Sequence, residues 1–341
     1  MKNKKLLVKV IKRNYNLKHL NLRKVSMGYT NQIFYGFNKN EKYIIRLSPF
    51  YKIKHLSLEL YVLKKLEDSI PLQVPHPLRS KFNTYCVRLG NYIISVFRFI
   101  EGEPASLLSR NLKIHEFSKE LGKTVGILHK GLSKIKAPLT SFTHQSLITS
   151  YYDQFKFYTI CRYHPFDEWR KLLIKKIEII LRELNKYKNY YDNNFKKTSI
   201  IHTDIRLDNI IIQNDKITGI IDFDDIMIGD EAFDLASMLV EIYSNKKLVS
   251  KNITDMVDLE NFSTMVKEYQ NERGIKRKKI FIKKIINFIE LQVLQVLSIV
   301  GRDIEFDENQ RMKNVIWYLN FLEIMNNKKE VEKIRNFLLN D

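Results

Sequence analysis

Hydrophobic positions along the chain change their period once, near residue 100. Before that point apolar residues alternate or gather in short runs. Asn21–Val25, Gln32–Phe37 and Lys42–Leu47 read as strands, the last two joined by a polar turn at Asn38–Glu41. Thr84–Leu89 and Tyr92–Arg98 give two further strands after a proline-punctuated loop over Ile70–Pro77. Helical spacing appears over residues 1–16 and over His55–Leu66, where Leu56, Leu60, Leu63 and Leu66 share a face. Past Glu101-Gly102-Glu103-Pro104 the helical period takes over. Helices are expected at Ile114–Leu132, Phe166–Leu184, Ala232–Tyr243, Ile280–Val300, Met312–Met325 and Lys329–Leu339. One segment interrupts them: Ser199–Asp225, two short apolar runs around a polar loop. The pattern is that of an α+β protein with a small β-rich N-lobe over residues 1–100 and a larger helical C-lobe over residues 101–341.

Composition narrows the class. A chain of 341 residues, 44% of them hydrophobic, can bury a core in each of two lobes. Gly and Pro are scarce and no repeat is found, which argues against disorder and solenoids. The most apolar run, Ile280–Val300, contains Lys283, Lys284 and Glu290, so it reads as a buried helix and no membrane contact is expected. The N-terminus starts basic but lacks an uninterrupted apolar stretch and a cleavage site, so no signal peptide is expected. Cys86 and Cys161 lie far apart without metal-ligand spacing and read as reduced thiols of a cytoplasmic protein.

The net charge of +20 raises the question of nucleic acid. Bases recur on helical stretches such as Arg170–Lys188 and Arg273–Lys284, and aromatic residues do not interleave with them as a stacking groove requires. A solvated Lys-rich surface is the expectation, with no specific nucleic-acid partner. One window reverses the trend: His202–Glu241 holds ten Asp/Glu against two Lys/Arg. A local acidic patch in a basic chain calls for a local reason.

Within that window Asp204, Asn209 and Asp222 stand in or beside apolar runs, at Ile201-His202-Thr203-Asp204 through Asn209-Ile210-Ile211-Ile212 and at Ile221-Asp222-Phe223. A carboxylate among apolar neighbours needs a partner, because an unpaired buried charge is costly. A divalent cation is the simplest partner for Asn209 and Asp222, since Mg²⁺ prefers carboxylate and carbonyl oxygens together with phosphate oxygens. Asp204, five residues before Asn209, is then left to accept a proton from an attacking hydroxyl.

The spacing His-x-Asp-x-x-x-x-Asn, followed by an Asp just after a short hairpin, is a phosphoryl-transfer pattern. Here the chain resembles the aminoglycoside phosphotransferase and choline kinase-like family, which shares the protein-kinase fold. The family's usual pattern is His-Gly-Asp-(four residues)-Asn, then Ile-Asp-(Phe/Trp), then Gly-Asp-(Pro)-x-x-Asp-Leu-Ala. This chain offers His202-Thr203-Asp204 and Asn209, Ile221-Asp222-Phe223, and Gly229-Asp230-Glu231-Ala232-Phe233-Asp234-Leu235-Ala236. Thr203 in place of Gly is a departure that adds a Cβ in a tight loop. The resemblance spans residues 20–245 and, more loosely, Gln292–Leu322.

The resemblance implies a bilobal, protein-kinase-like small-molecule kinase. ATP or GTP would be the co-substrate, Mg²⁺ would sit on Asn209 and Asp222, and Asp204 would be the catalytic carboxylate. It implies that Asp234 braces the catalytic loop, and His202 reads as a holder of that loop. Phe97-Arg98-Phe99 resembles the hinge that frames the base. Leu121-Gly122 through Leu128-His129 resembles the helix that follows. Ser26–Phe37, with Gly28 and Asn31, and Tyr43–Glu59 resemble the loop and the strand–helix pair over the phosphates. Arg46 on the strand Tyr43–Leu47 stands where protein kinases carry Lys, with Glu59 as its carboxylate partner.

Other residues carry two readings. Arg206 either reaches the transferred phosphate or forms a salt bridge. Asp224, Asp225, Asp230 and Glu231 either meet a cationic acceptor or pair with bases from surrounding helices. The expected acceptor is a small hydroxylated molecule bearing an amine: an aminoglycoside-type antibiotic, homoserine, choline or similar, with Phe223-Asp224-Asp225 leaning towards the homoserine kinase-like branch. Two rival readings are a catalytically silent scaffold or coat protein of the same fold and a non-specific nucleic-acid binder.

Overall fold

The computed structural model describes residues 4–27, 31–109, 112–136, 148–151, 153–155, 167–194, 199–300 and 307–340. Gly28, Cys161 and the expected helix start at Phe166 lie outside them. The chain divides into two compact units: Met1–Pro104 with Asn209–Asp225, and Ala105–Asp208 with Ile226–Asp341. This differs from a single break after residue 100, because the hairpin at 209–225 groups with the first unit.

The first unit is built on a five-stranded antiparallel sheet: β1 (Asn21–Met27), β2 (Gln32–Phe37), β3 (Lys42–Pro49), β4 (Cys86–Leu89) and β5 (Tyr92–Arg98), in the order β1-β2-β3-β5-β4. Two helices accompany it, α1 (Lys4–Tyr15) and α2 (Ile53–Leu66). The two-residue period of a strand sends successive side chains to opposite faces. Ile45 and Leu47 of β3 therefore share one face with Val96 and Ile94 of β5, opposite which they pair, and all four are buried with Leu7 and Ile11 of α1. Each such side chain contributes roughly 1.5–3 kcal/mol of apolar burial. Arg46 falls on the other face of the same strand. That alternation is what frees one charged residue from an otherwise apolar core.

The hairpin explains the altered grouping. β8 (Ile210–Gln213) and β9 (Lys216–Ile220) pair with each other, and β8 also pairs with β6 (Glu103–Pro104). Gln73 clamps β9 from the proline-rich loop, its N–H donating to Thr218 O at 3.0 Å while its O accepts from Ile220 N at 3.1 Å. Gly102 carries φ +128°, and a Cβ there would stand 2.6 Å from Ile212 O. The chain turns against β8 only because that Cβ is missing.

The second unit is mostly helical. Its main helices are α3 (Ile114–Leu132), α4 (Glu168–Lys175), α5 (Ile177–Asn194), α6 (Ala232–Glu241), α7 (Leu259–Arg273), α8 (Lys278–Ile299), α9 (Glu308–Met325) and α10 (Lys328–Asn340). The single helix expected over Phe166–Leu184 is two, α4 and α5, broken at Lys176. α7 carries no expectation from the sequence reading, yet its signals are present. Phe262, Met265, Val266 and Tyr269 are buried at helical spacing; Asp258 caps the N-terminus by accepting from Asn261 N at 3.1 Å, and Gly274 closes the helix at φ +65°. α3 lies close against α7 through two glycines. A Cβ at Gly122 would collide with the Met265 carbonyl oxygen, and one at Gly126 would lie 2.7 Å from Glu272 Cβ. Among the described residues no helix is long and apolar enough to cross a membrane.

Candidate active site

In the second unit, β7 (Ser199–Ile201) pairs antiparallel with β10 (Met227–Gly229), and the loop beginning at His202 leaves the end of β7. Thr203 adopts φ +71°, a left-handed conformation costly for a β-branched residue, by about 1–3 kcal/mol. This is the position where the family pattern has Gly, so the departure noted in the sequence costs stability in a defined way. Asp234, fully buried in the first turn of α6, offsets it by gripping the loop backbone. Its Oδ2 accepts from His202 N at 2.9 Å and its Oδ1 from Thr203 N at 2.7 Å. Burial alone would raise the Asp234 carboxyl. The hydrogen bond and charge of His129, with the loop N–H of His202, outweigh that and hold it below its ordinary value.

Asp204 follows on this braced segment, its own N–H donating to His202 Nδ1 at 3.3 Å. Its side chain stays one-third exposed. Arg206 Nε lies 3.4 Å from Asp204 Oδ2, within the same loop. This contact is the salt bridge of one of the two readings of Arg206.

The first unit holds a second group of charges. Arg46 and Glu59 form a buried ion pair, and the Arg46 guanidinium lies 5.0 Å from the centre of the Phe97 ring. Burial would weaken the Arg46 charge, but Glu59 first, then Asp224 and Asp222, more than compensate and push its pKa above the ordinary value. Arg46 Nε is buried with no acceptor among the described residues. A guanidinium with one donor on Glu59 and another unfilled suits a phosphate oxygen. At the open end of the β8–β9 hairpin, Ile221 N donates to Asn209 O at 2.9 Å, which sets Asn209 beside the Ile221-Asp222 step. Asn209 is buried, and Asp222 takes φ +68°, a conformation Asp tolerates better than most residues. An amide oxygen and a carboxylate are hard oxygen donors. Such a pair suits an ion that draws its remaining ligands from phosphate and water.

Asn31, the first described residue after the loop containing Gly28, donates from Nδ2 to Asp224 Oδ2 at 2.7 Å. Asp224 also acts electrostatically on Arg46, Glu59 and His55. It therefore belongs with the Arg46 group. Phe97 is buried under Arg46, whereas Phe99 is partly exposed and meets Tyr35 edge-on at 5.5 Å.

The acceptor-facing expectation needs correction at two positions. Asp230 is paired with Lys284 and caps Ala232 N at 3.1 Å. Glu231 receives two donors from Arg273, at 2.7 and 3.0 Å, and a third from Tyr269 at 2.7 Å. Both carboxylates are taken up by bases of α7 and α8. Asp225 is the exposed member of the four. The sequence reading missed Tyr269 and Arg273 because it missed α7, and it left His129 without a partner; His129 in fact contacts Asp234 at 3.0 Å.

A five-stranded sheet with a buried Arg–Glu pair, a hairpin ending in Asn and Asp, and an Asp-bearing loop braced from a helix start define the class of kinase-like phosphotransferases. The chain belongs to the phosphotransferase enzyme family, whose model matches residues 21–250, and it has the bilobal α+β fold of that class. It is 23% identical over 213 residues to homoserine kinase of Methylobacillus flagellatus, covering 60% of this chain and 58% of that protein. The chain thus spans little more than half the length of that relative. Among solved structures it is similar to choline kinase from Cryptosporidium parvum, at 16% identity and TM-score 0.66 over 98% of this chain and 97% of that one. A spectinomycin phosphotransferase in complex with ADP and spectinomycin matches at 15% identity and TM-score 0.58, over 97% and 96%.

Proposed function

We propose that the chain moves the γ-phosphoryl group of ATP or GTP to a hydroxyl of a small amine-bearing molecule, such as an amino alcohol, homoserine or an aminoglycoside. The observation that best supports this is the clamp on the catalytic loop: two consecutive backbone N–H groups held by one buried carboxylate, immediately before Asp204. Such rigidity matters because phosphoryl transfer draws its acceleration mostly from positioning and charge. Asp204 holds the acceptor O–H and takes its proton as the new O–P bond forms and the bond to the leaving diphosphate breaks. Arg46, fixed by Glu59, orients the phosphates, and Asn31 anchors the end of the phosphate loop to Asp224. Phe99 offers a partly exposed ring towards the base. Asn209 and Asp222 would hold Mg²⁺, which when bound neutralises charge on the transferring phosphates. Arg206 adds positive charge beside Asp204.

The amine-bearing acceptor is supported by the homoserine and choline kinases the chain is similar to. The absence of any metal or disulfide spacing around the cysteines supports action in the cytoplasm. The test is a panel of amino alcohols, aminoglycosides and neutral sugars, scored for nucleotide consumption with ATP and with GTP against a no-acceptor control. Turnover with an amine-bearing acceptor, lowered by roughly 10²-fold or more in Asp204→Asn with nucleotide affinity kept, is the expected result. Near-native turnover in that variant rules out the assigned base, and turnover confined to neutral sugars rules out the acceptor class.

A further inference from the structure

Behind the Asp234 clamp the second unit holds a continuous line of polar contacts through a core that is otherwise apolar. Asp234 Oδ2 also meets His129 Nε2 at 3.0 Å; His129 Nδ1 meets the Tyr269 hydroxyl at 2.8 Å; that hydroxyl meets Glu231 Oε2 at 2.7 Å; and Glu231 is gripped by Arg273. His129 and Asp234 have no solvent exposure at all. The ring of Tyr269 is fixed between the edge of His129 and a parallel stack on Phe281.

Counting protons along this line leaves one arrangement. The Glu231 carboxylate, ionised in the grip of Arg273, can only accept, so the single proton of the Tyr269 hydroxyl must point at it. The hydroxyl oxygen is then an acceptor towards His129, and Nδ1 must carry a hydrogen. At the other end Asp234, ionised and already accepting from two backbone N–H groups, is also acceptor-only, so Nε2 must carry a hydrogen as well. Were Nδ1 bare, either it and the phenol oxygen or the phenol oxygen and the carboxylate would face each other with lone pairs alone, at hydrogen-bond distance.

We infer that His129 is held as a buried imidazolium, and that Glu231, Tyr269 and Arg273 act through it as positioning residues for the loop carrying Asp204. The charges alternate along the line and cancel: Arg273 positive, Glu231 negative, His129 positive, Asp234 negative. A buried positive ring keeps Asp234 ionised, so its bonds to the loop N–H groups stay charge-assisted, about twice as strong as neutral ones. The charged and titratable groups facing His129 are Asp234 from α6, Tyr269 from α7, Glu231 from the turn before α6, and His202 from the loop after β7. α7 thereby gains a role beyond packing: its last turn reaches the catalytic loop through four side chains.

The functional part of this inference rests on the proposed phosphotransfer, so the deciding measurements do not require turnover. Nitrogen-15 NMR of histidine-labelled full-length protein, with His129→Gln identifying the signal, should show both ring nitrogens of His129 protonated at neutral pH. A neutral-tautomer signature in the native protein overturns the inference. Glu231→Gln removes the acceptor-only end, allowing the Tyr269 proton to turn to His129, and Tyr269→Phe removes the link; both variants should convert His129 to a neutral ring. Both should also speed hydrogen exchange of the His202 and Thr203 amides on the order of tenfold. Unchanged exchange with unchanged melting in both variants overturns the positioning role. Where an acceptor is in hand, the same variants should lower kcat with the nucleotide KM unchanged, and Glu231→Asp should restore part of the loss. Failure of the native protein to turn over any acceptor counts against the proposed reaction and leaves the NMR and exchange outcomes decisive here.

Discussion

At the scale of single residues, the Arg46–Glu59 pair shows how stability and function can be told apart. Their side chains are 7% and 2% exposed, so each charge depends on the other in place of water. Removing one partner leaves an uncompensated buried charge, at a cost of about 3–5 kcal/mol, whereas replacing both by apolar side chains is often neutral or stabilising. Arg46→Met is therefore expected to destabilise the chain by about 3 kcal/mol, and Arg46→Met with Glu59→Leu to recover most of that in denaturant melts. Nucleotide binding by calorimetry should be lost in both, because the proposed phosphate contact of Arg46 is not replaced by packing. A double variant that binds nucleotide as the native chain does removes Arg46 from the proposed site. The alternation of strand β3 makes this pair visible in the sequence: Arg46 interrupts Tyr43-Ile44-Ile45 and Leu47, and Glu59 lies among the leucines of α2. The Asp230 and Glu231 pairings were not visible in that way, because Lys284 and Arg273 are distant in sequence and only tertiary packing brings them in.

At the scale of elements, local pattern carried most strands and helices because an element that buries one face shows its own period, as β2 and α2 do. It failed where burial is nearly all-round or the period is broken by polar positions. α7 (LENFSTMVKEYQNER) buries Ser263 and Gln270 along with its apolar residues, which blurred its stripe and hid the helix that carries Tyr269 and Arg273. A contact between α5 and α8 yields a pH prediction. Tyr187 of α5 donates its hydroxyl towards Glu290 of α8, at 2.7 Å from Oε2, and the Asn287 carbonyl lies 2.6 Å away. Burial, and then the Glu183 carboxyl, push Glu290 up to about 7 from 4.5. A carboxyl whose folded pKa is raised contributes stability that is complete below its unfolded value and lost as pH rises through the folded value. The chain should therefore lose stability on the order of 3 kcal/mol from this group between about pH 5 and pH 8. Glu290→Gln, neutral throughout, should flatten that part of the melting profile and melt higher than the native chain at the alkaline end. Parallel profiles for the two proteins would show that Glu290 does not titrate in this range.

At the scale of the whole molecule, a chain of net charge +20 keeps ten acids against two bases in one forty-residue window, and the structure distributes those acids among distinct tasks. Asp234 braces a loop, Asp230 and Glu231 pair with bases, and Asp224 joins the Arg46 group. The order of motifs made the fold and the loop legible from sequence. The grouping of Asn209–Asp225 with the first unit was not, since it depends on the pairing of β8 with Glu103–Pro104 and on Gln73, residues with no chemical signature of their own. Asp222 is the carboxylate whose task is proposed to be the metal, and it gives a prediction that needs no acceptor. A ligand that binds only the folded chain stabilises it by about 2.7 kcal/mol at a hundredfold excess over Kd. With the proposed site, a non-hydrolysable ATP or GTP analogue should raise Tm by several degrees in the presence of Mg²⁺ and much less in EDTA. Asp222→Asn keeps a side chain that tolerates the positive φ at this position while removing the charge, so its ligand-free Tm should stay near that of the native chain. Its nucleotide-induced shift should become the same with and without Mg²⁺. A native shift that ignores Mg²⁺ would remove the metal from the proposed reaction. A Mg²⁺-dependent shift that survives in Asp222→Asn would place the ion on other residues and leave Arg46 and Glu59 as the supported part of the nucleotide site.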